Sequence, residues 1–131
     1  AVVKANGYGL GGLQVARALQ KAGCSSFFVA WMEEGAELRK ALGAGSRIFV
    51  LNGPAAGQLK TFLTLGLTAV LSTEHQIKAW SGAPKGTTAL HFNTGMNRLG
   101  LPWKIVDSDA ASLRQLEPVL IMSHLACADA A

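Results

Sequence analysis

Apolar residues follow two alternating rhythms along this chain. Short runs dominated by Val, Ile, Leu, Phe and Ala occur at Ala1–Ala5, Ser26–Trp31, Arg47–Leu51, Thr68–Ser72, Thr88–Phe92 and Val119–His124. Runs of that length bounded by turn residues predict strands. Between them, apolar residues return at the three- and four-residue intervals of a helical face. Leu13, Ala16, Leu19 and Ala22 make one stripe, closed by Gly23. Met32–Arg39 opens another, with Glu33 and Glu34 in the first turn, where the helix dipole favours acids. Pro54 marks a predicted helix start ahead of Leu59, Phe62 and Leu63. Thr73 and Gln76 have capping-box spacing before a short helix running towards Trp80. A last helix is predicted over Asp109–Glu117, carrying Leu113 and Leu116.

Six strands alternating with five helices predict an α/β chain with a parallel sheet and right-handed crossovers. The composition agrees: 50% of residues are hydrophobic and only 15% charged, against about 25% charged in an average soluble domain. Strands buried on both faces read in this way. No apolar run approaches the ~18 residues of a membrane span, so no membrane partner is expected. The net charge is +4, but its cations are scattered rather than clustered, so no nucleic-acid partner is expected either. Cys24 and Cys127 have neither paired nor metal-ligand spacing and are expected to be reduced thiols, with no metal site. The chain opens inside a predicted strand without an initiator methionine, which reads as a piece of a longer protein.

The chemistry-bearing candidates lie where strands end. Lys4 closes the first apolar run just before a glycine-rich turn. A cation at a buried strand end is costly unless paired or reacted, and a desolvated amine is suited to attack on carbonyls. The plainer reading is a lysine reaching out to solvent. Gly7, Gly9 and Gly12 also form a G-x-G-x-x-G, with Glu33 about 20 residues on. That is the dinucleotide fingerprint of a NAD(P)-binding Rossmann module. Such a module gives Lys4 no task and leaves two other segments unexplained, Phe92–Gly100 and Met122–Asp129, each of which follows an apolar run and ends in polar groups.

Lys4-Ala5-Asn6-Gly7-Tyr8-Gly9, Thr94-Gly95-Met96-Asn97-Arg98-Leu99-Gly100 and Ser123-His124-Leu125-Ala126-Cys127-Ala128-Asp129 together resemble the three signature segments of the pyridoxal-phosphate barrel of bacterial alanine racemases. The resemblance runs through essentially the whole chain. It implies an incomplete (β/α)8 TIM-type barrel of about six βα units, because the complete barrel takes about 250 residues. Residues 1–131 would then be part of the cofactor-binding domain, without the family's C-terminal domain.

The resemblance further implies a cytoplasmic, homodimeric, pyridoxal 5'-phosphate-dependent isomerase that interconverts L- and D-alanine for peptidoglycan. Lys4 would hold the cofactor covalently and move the substrate α-proton on one face. Tyr8 would hydrogen-bond the cofactor phosphate, Arg98 the cofactor's phenolic oxygen and the substrate, and His124 would pack beside the pyridine ring. These residues are expected to converge at strand ends. His91 departs from the family, which commonly has a carbamylated lysine there, and Asn93 replaces a usual aspartate. Both changes remove negative charge beside Arg98, which either His91 itself or a small anion would then support. Gly7 and Leu10 stand where alanine and histidine are usual. Trp31 and Met32 would either wall the pocket or pack in the core. A barrel that carries the cofactor without catalysis is the remaining alternative.

Overall fold

The computed structural model describes residues 1–128; Asp129, the end of the third motif segment, lies outside them. The chain forms two compact units, Ala1–Val70 and the part from Leu71 onward.

In the first unit the strands β1 (Ser26–Val29), β2 (Arg47–Val50) and β3 (Leu67–Leu71) are all parallel. Phe27 is in register with Ile48, and Ile48 with Leu67. Every residue of β3 is buried, as is β2 after Arg47. Continuous rather than alternating burial is what helix-covered parallel strands require. Helix α2 (Gly12–Lys21) buries Gly12 and Ala16, and ends in paired bonds from Gly23 N to Gln20 O and Cys24 N to Leu19 O. These form a Schellman stop, for which Gly23 supplies the left-handed residue at φ 96°. Helix α3 (Met32–Leu42) packs Gly35, Leu38 and Leu42 inward. Gly35 lies so close that an added Cβ would sit 3.1 Å from the Leu67 side chain.

Two expectations are corrected in this unit. Ala1–Ala5 is not a full strand. Only Val2 bridges to Phe28, and the chain leaves the sheet at Lys4 into α1 (Lys4–Tyr8). Pro54 does not start a helix; α4 (Leu59–Thr64) begins five residues later.

In the second unit β4 (Thr88–Asn93) pairs with β5 (Leu101–Pro102) and with β6 (Leu120–Ser123), parallel in both cases. Helix α5 (Glu74–Trp80) starts as its sequence predicts, with Gln76 N donating to Thr73 Oγ1 at 3.2 Å. The Gln76 side chain reaches back one residue further, to Ser72 N at 2.8 Å. The expected last helix is shorter, α7 (Ala110–Gln115), and is preceded by a separate turn, α6 (Ile105–Ser108). Trp80, Leu90, Leu101, Ile105, Leu113 and Leu116 are buried. Strand β5 was not expected. It exists because Gly100, at φ 118°, folds the chain back onto β4, where an added Cβ would stand 2.6 Å from Asn93 N.

Candidate active site

Lys4 leaves the sheet at a fixed point. Val3 N donates to Phe28 O at 2.9 Å and Phe28 N to Ala1 O at 2.8 Å, so the chain is held parallel to β1 up to the residue before the lysine. The next turn is left-handed. Ala5, Asn6, Gly7 and Tyr8 take φ of 51°, 54°, 65° and 55° in succession, closed by Gly9 N to Ala5 O at 3.1 Å and Gly11 N to Asn6 O at 3.0 Å. Three of those four residues carry a Cβ. Each costs about 1–2 kcal/mol in this conformation, a concentration of strain typical of functional segments.

Two side chains hold the turn, and the sequence named neither of them as a support for it. Asn6 Oδ1 accepts from Gly12 N, the first amide of α2, at 2.8 Å. Glu34 accepts from three backbone amides: Ala5 N at 2.7 Å through Oε1, and Ala30 N and Trp31 N at 2.8 and 3.1 Å through Oε2. The available signal for Glu34 was its place at the third helical position after a strand, where a glutamate reaches back to cap. The lysine emerges half-buried, with its Nζ 6.0 Å from the Tyr8 ring centroid. Tyr8 is 63% exposed, and Trp31, at the start of α3, is equally open to solvent.

The second unit assembles the other candidates. His91 lies on β4 in register with Met122, two residues before His124. It is buried, and its Nδ1 is 3.5 Å from Ser72 Oγ. Burial first, then the nearby charges of His124 and Arg98, push its pKa below the ordinary histidine value. A neutral imidazole results, so His91 adds no charge beside Arg98. Asn93 shapes the loop that carries Arg98: its Oδ1 accepts from Gly95 N and Asn97 N, both at 3.0 Å, and its Nδ2 donates to Asn97 Oδ1 at 2.8 Å. The Thr94 and Ser123 hydroxyls are hydrogen-bonded, tying this loop to the end of β6 just before His124. Arg98 and His124 are both exposed.

The dinucleotide reading of Gly7, Gly9 and Gly12 is corrected. Its phosphate would sit on the free amides of a helix N-terminus, but Gly12 N is already bonded to Asn6. Gly7 and Gly12 serve close packing, since a Cβ on Gly7 would lie 3.1 Å from the Gly12 Cα. Glu33, its ribose-binding acid, is an exposed residue of the first turn of α3. Among the described residues no cluster of His, Cys, Asp or Glu could hold a metal, and no helix is long and apolar enough to cross a membrane.

Parallel strands joined by helices define an α/β protein, a class whose sites lie at strand ends. The whole chain, residues 1–131, matches the family model described as alanine racemase, N-terminal domain, and the chain belongs to that family. The catabolic alanine racemase of Mesorhizobium japonicum is 43% identical over 136 aligned positions, and the alanine racemase of Rhodospirillum rubrum 45%. Each alignment takes in 98% of this chain and 36% of the relative. Thus the chain spans little more than a third of the length of these curated relatives.

Two solved structures are similar. The alanine racemase from Bartonella henselae, with covalently bound pyridoxal phosphate, is 34% identical, with a TM-score of 0.88 over 96% of this chain and 39% of that one. The biosynthetic alanine racemase from Pseudomonas aeruginosa is 37% identical, with a TM-score of 0.85 over 98% and 37%. The fold is therefore that of the alanine racemase barrel domain, present in part.

Proposed function

We propose that this chain supplies the N-terminal, cofactor-binding domain of a cytoplasmic, homodimeric alanine racemase that provides D-alanine for peptidoglycan. The observation that carries the reading is the placement of Lys4. Its amine leaves a hydrogen-bonded strand end through a strained left-handed turn, in a chain that matches the family from end to end.

The residues present fit pyridoxal 5'-phosphate. An amine and a phenol stand on one turn, 6.0 Å apart from nitrogen to ring centre. Around Gly9 the backbone is open, with nothing within 4 Å of an added Cβ. Lys4 would hold the cofactor through its amine, Tyr8 through its phosphate, Arg98 through its phenolic oxygen and His124 beside its ring. Bound there, the cofactor supplies the electron sink that acidifies the α-proton of an amino acid.

The rest falls to the protein's own groups. Lys4 takes or returns the α-proton on one face, and the planar guanidinium of Arg98 orients the substrate. His91, kept neutral by burial, supports Arg98 without repelling it. The test is made in the whole enzyme. Lys4→Ala is expected to remove both the cofactor's visible absorbance and racemisation, whereas Arg98→Ala keeps the absorbance and slows turnover. Near-normal racemisation by Lys4→Ala would overturn the reading. A cofactor carrier without catalysis would show the absorbance but exchange no α-proton.

A further inference from the structure

Glu34 divides its two oxygens between two tasks. Oε2 serves Ala30 N and Trp31 N, the amides at the entrance of its own helix. That is ordinary capping, and one oxygen suffices for it. Oε1 is given to Ala5 N, 29 positions away in sequence and the amide immediately after Lys4, at 2.7 Å, the shortest of the three bonds. The peptide plane between Lys4 and Ala5 is thereby anchored to α3.

Nothing else in the turn performs this service. The carbonyls of Val3, Ala5, Asn6 and Gly7 accept from Gly7, Gly9, Gly11 and Leu10, so the turn's own ladder starts only after Ala5. An amide at that point is an orphan donor, and a carboxylate makes a stronger acceptor for it than a neutral group would. The Val3–Lys4 peptide is already held by Gly7 N on Val3 O at 3.0 Å, so fixing the Lys4–Ala5 peptide as well fixes the backbone torsions at Lys4 and with them the Cα–Cβ bond from which the side chain departs.

We propose that Glu34 is a positioning residue for Lys4, its carboxylate holding the Lys4–Ala5 peptide and so aiming the amine. The assignment rests on Lys4 being the reactive amine. Proximity effects make aim count, since a misplacement of about 1 Å costs up to roughly a hundredfold in rate.

The experiment uses the whole enzyme, stripped and reloaded with pyridoxal 5'-phosphate as the probe, trapped with borohydride and mapped by peptide mass. Glu34→Gln keeps the side chain's size but leaves one acceptor oxygen for three amides. Glu34→Asp keeps the charge and the local helix cap, on an arm too short for Ala5. Both variants are expected to trap probe at Lys4 about tenfold more slowly or worse, and to lose kcat while the KM for alanine, set by Arg98, holds. Unchanged trapping at Lys4 in either folded variant overturns the proposal. Should neither variant fold, amide exchange at Ala5 in the unaltered enzyme decides: slow exchange supports the bond to Glu34, and free exchange overturns it. Equal trapping at Lys4 and at surface lysines in the unaltered enzyme is a separate result; it refutes the role of Lys4, and that of Glu34 with it.

Discussion

His91 Nδ1 faces the Ser72 hydroxyl at 3.5 Å, both residues being buried, one in β4 and one just after β3. Burial, with His124 and Arg98 adding to it, holds the His91 pKa below the ordinary histidine value of 6.5. The unfolded chain therefore takes up a proton at a pH where the folded chain still refuses it. Stability from this group is complete above about pH 6.5 and is lost as pH falls through that value towards the lower folded pKa. Thermal unfolding followed from about pH 8 to pH 5 should show a falling midpoint. His91→Gln should flatten the lower part of that profile. A profile identical in both proteins would show that His91 is not the group responsible.

Gly100 should tolerate no side chain. An added Cβ would meet Asn93 N at 2.6 Å and Phe92 C at 2.7 Å, both backbone atoms unable to swing aside, and φ is 118°. Gly100→Ala combines overpacking with left-handed strain, for a loss of about 3 kcal/mol. The damage should be local at first. Denaturant unfolding gives the loss, and limited proteolysis should cut within Thr94–Gly100 sooner than in the unaltered protein. Full stability in Gly100→Ala would show that the loop does not close on β4 in this way.

Arg39 is the structural cation of the first unit. Its guanidinium donates to four carbonyls: Leu65 at 2.9 Å, Gly43 at 2.6 Å, Ser46 at 2.8 Å and Gly66 at 2.7 Å. It thus ties the end of α3 to the approaches of β2 and β3. Desolvation lowers its pKa, yet an arginine remains charged at any ordinary pH. Lysine lacks the planar fork, so Arg39→Lys should cost about 1–3 kcal/mol, by hydrogen bonds to a charged group left unmade. A loss of unfolding free energy, measured by denaturant unfolding, of less than about a tenth of that would refute the role.

The βα rhythm was legible because β1 to β4 bury apolar residues, and because β6, although none of its residues is buried, still carries the apolar run Leu120-Ile121-Met122. Their ends fall within one or two residues of the expected runs, as with Leu67–Leu71 against Thr68–Ser72. Strand β5 was not legible. Its two residues carry no periodicity, and the link from β4 is shorter than the dozen or so residues of a regular parallel crossover. The first strand was over-read because Val2, Val3 and Lys4 give no hint that Ala5 turns left-handed. Lys4, Tyr8, His91, Arg98 and His124 were named as candidates from the motif resemblance. Glu34, Asn6 and Ser72 were not, since their work is on backbone amides or on a buried neighbour, which no residue pattern records.

Assayed alone, the 131-residue chain should not racemise alanine. Inverting an α-carbon requires a proton removed from one face and another delivered to the opposite face. Lys4 can serve only one of them. In the family the opposite base is a tyrosine from the C-terminal domain of the second subunit, and the single tyrosine of this chain is Tyr8. Tyr8 already has a proposed task, at the cofactor phosphate, and it stands on the same turn as Lys4. The three histidines offer no substitute: His75 is exposed on α5, His91 is buried and neutral, and the place proposed for His124 is beside the cofactor ring. The measurement is polarimetric or coupled-enzyme detection of D-alanine formed from L-alanine by the purified monomer loaded with pyridoxal 5'-phosphate. Solvent deuterium exchange at the α-carbon should be followed alongside, because a one-base site exchanges on the face it serves with retention of configuration. Sustained D-alanine formation by the monomer would show that a second base lies within these residues, and the assignment of proton transfer to Lys4 on one face alone would fall.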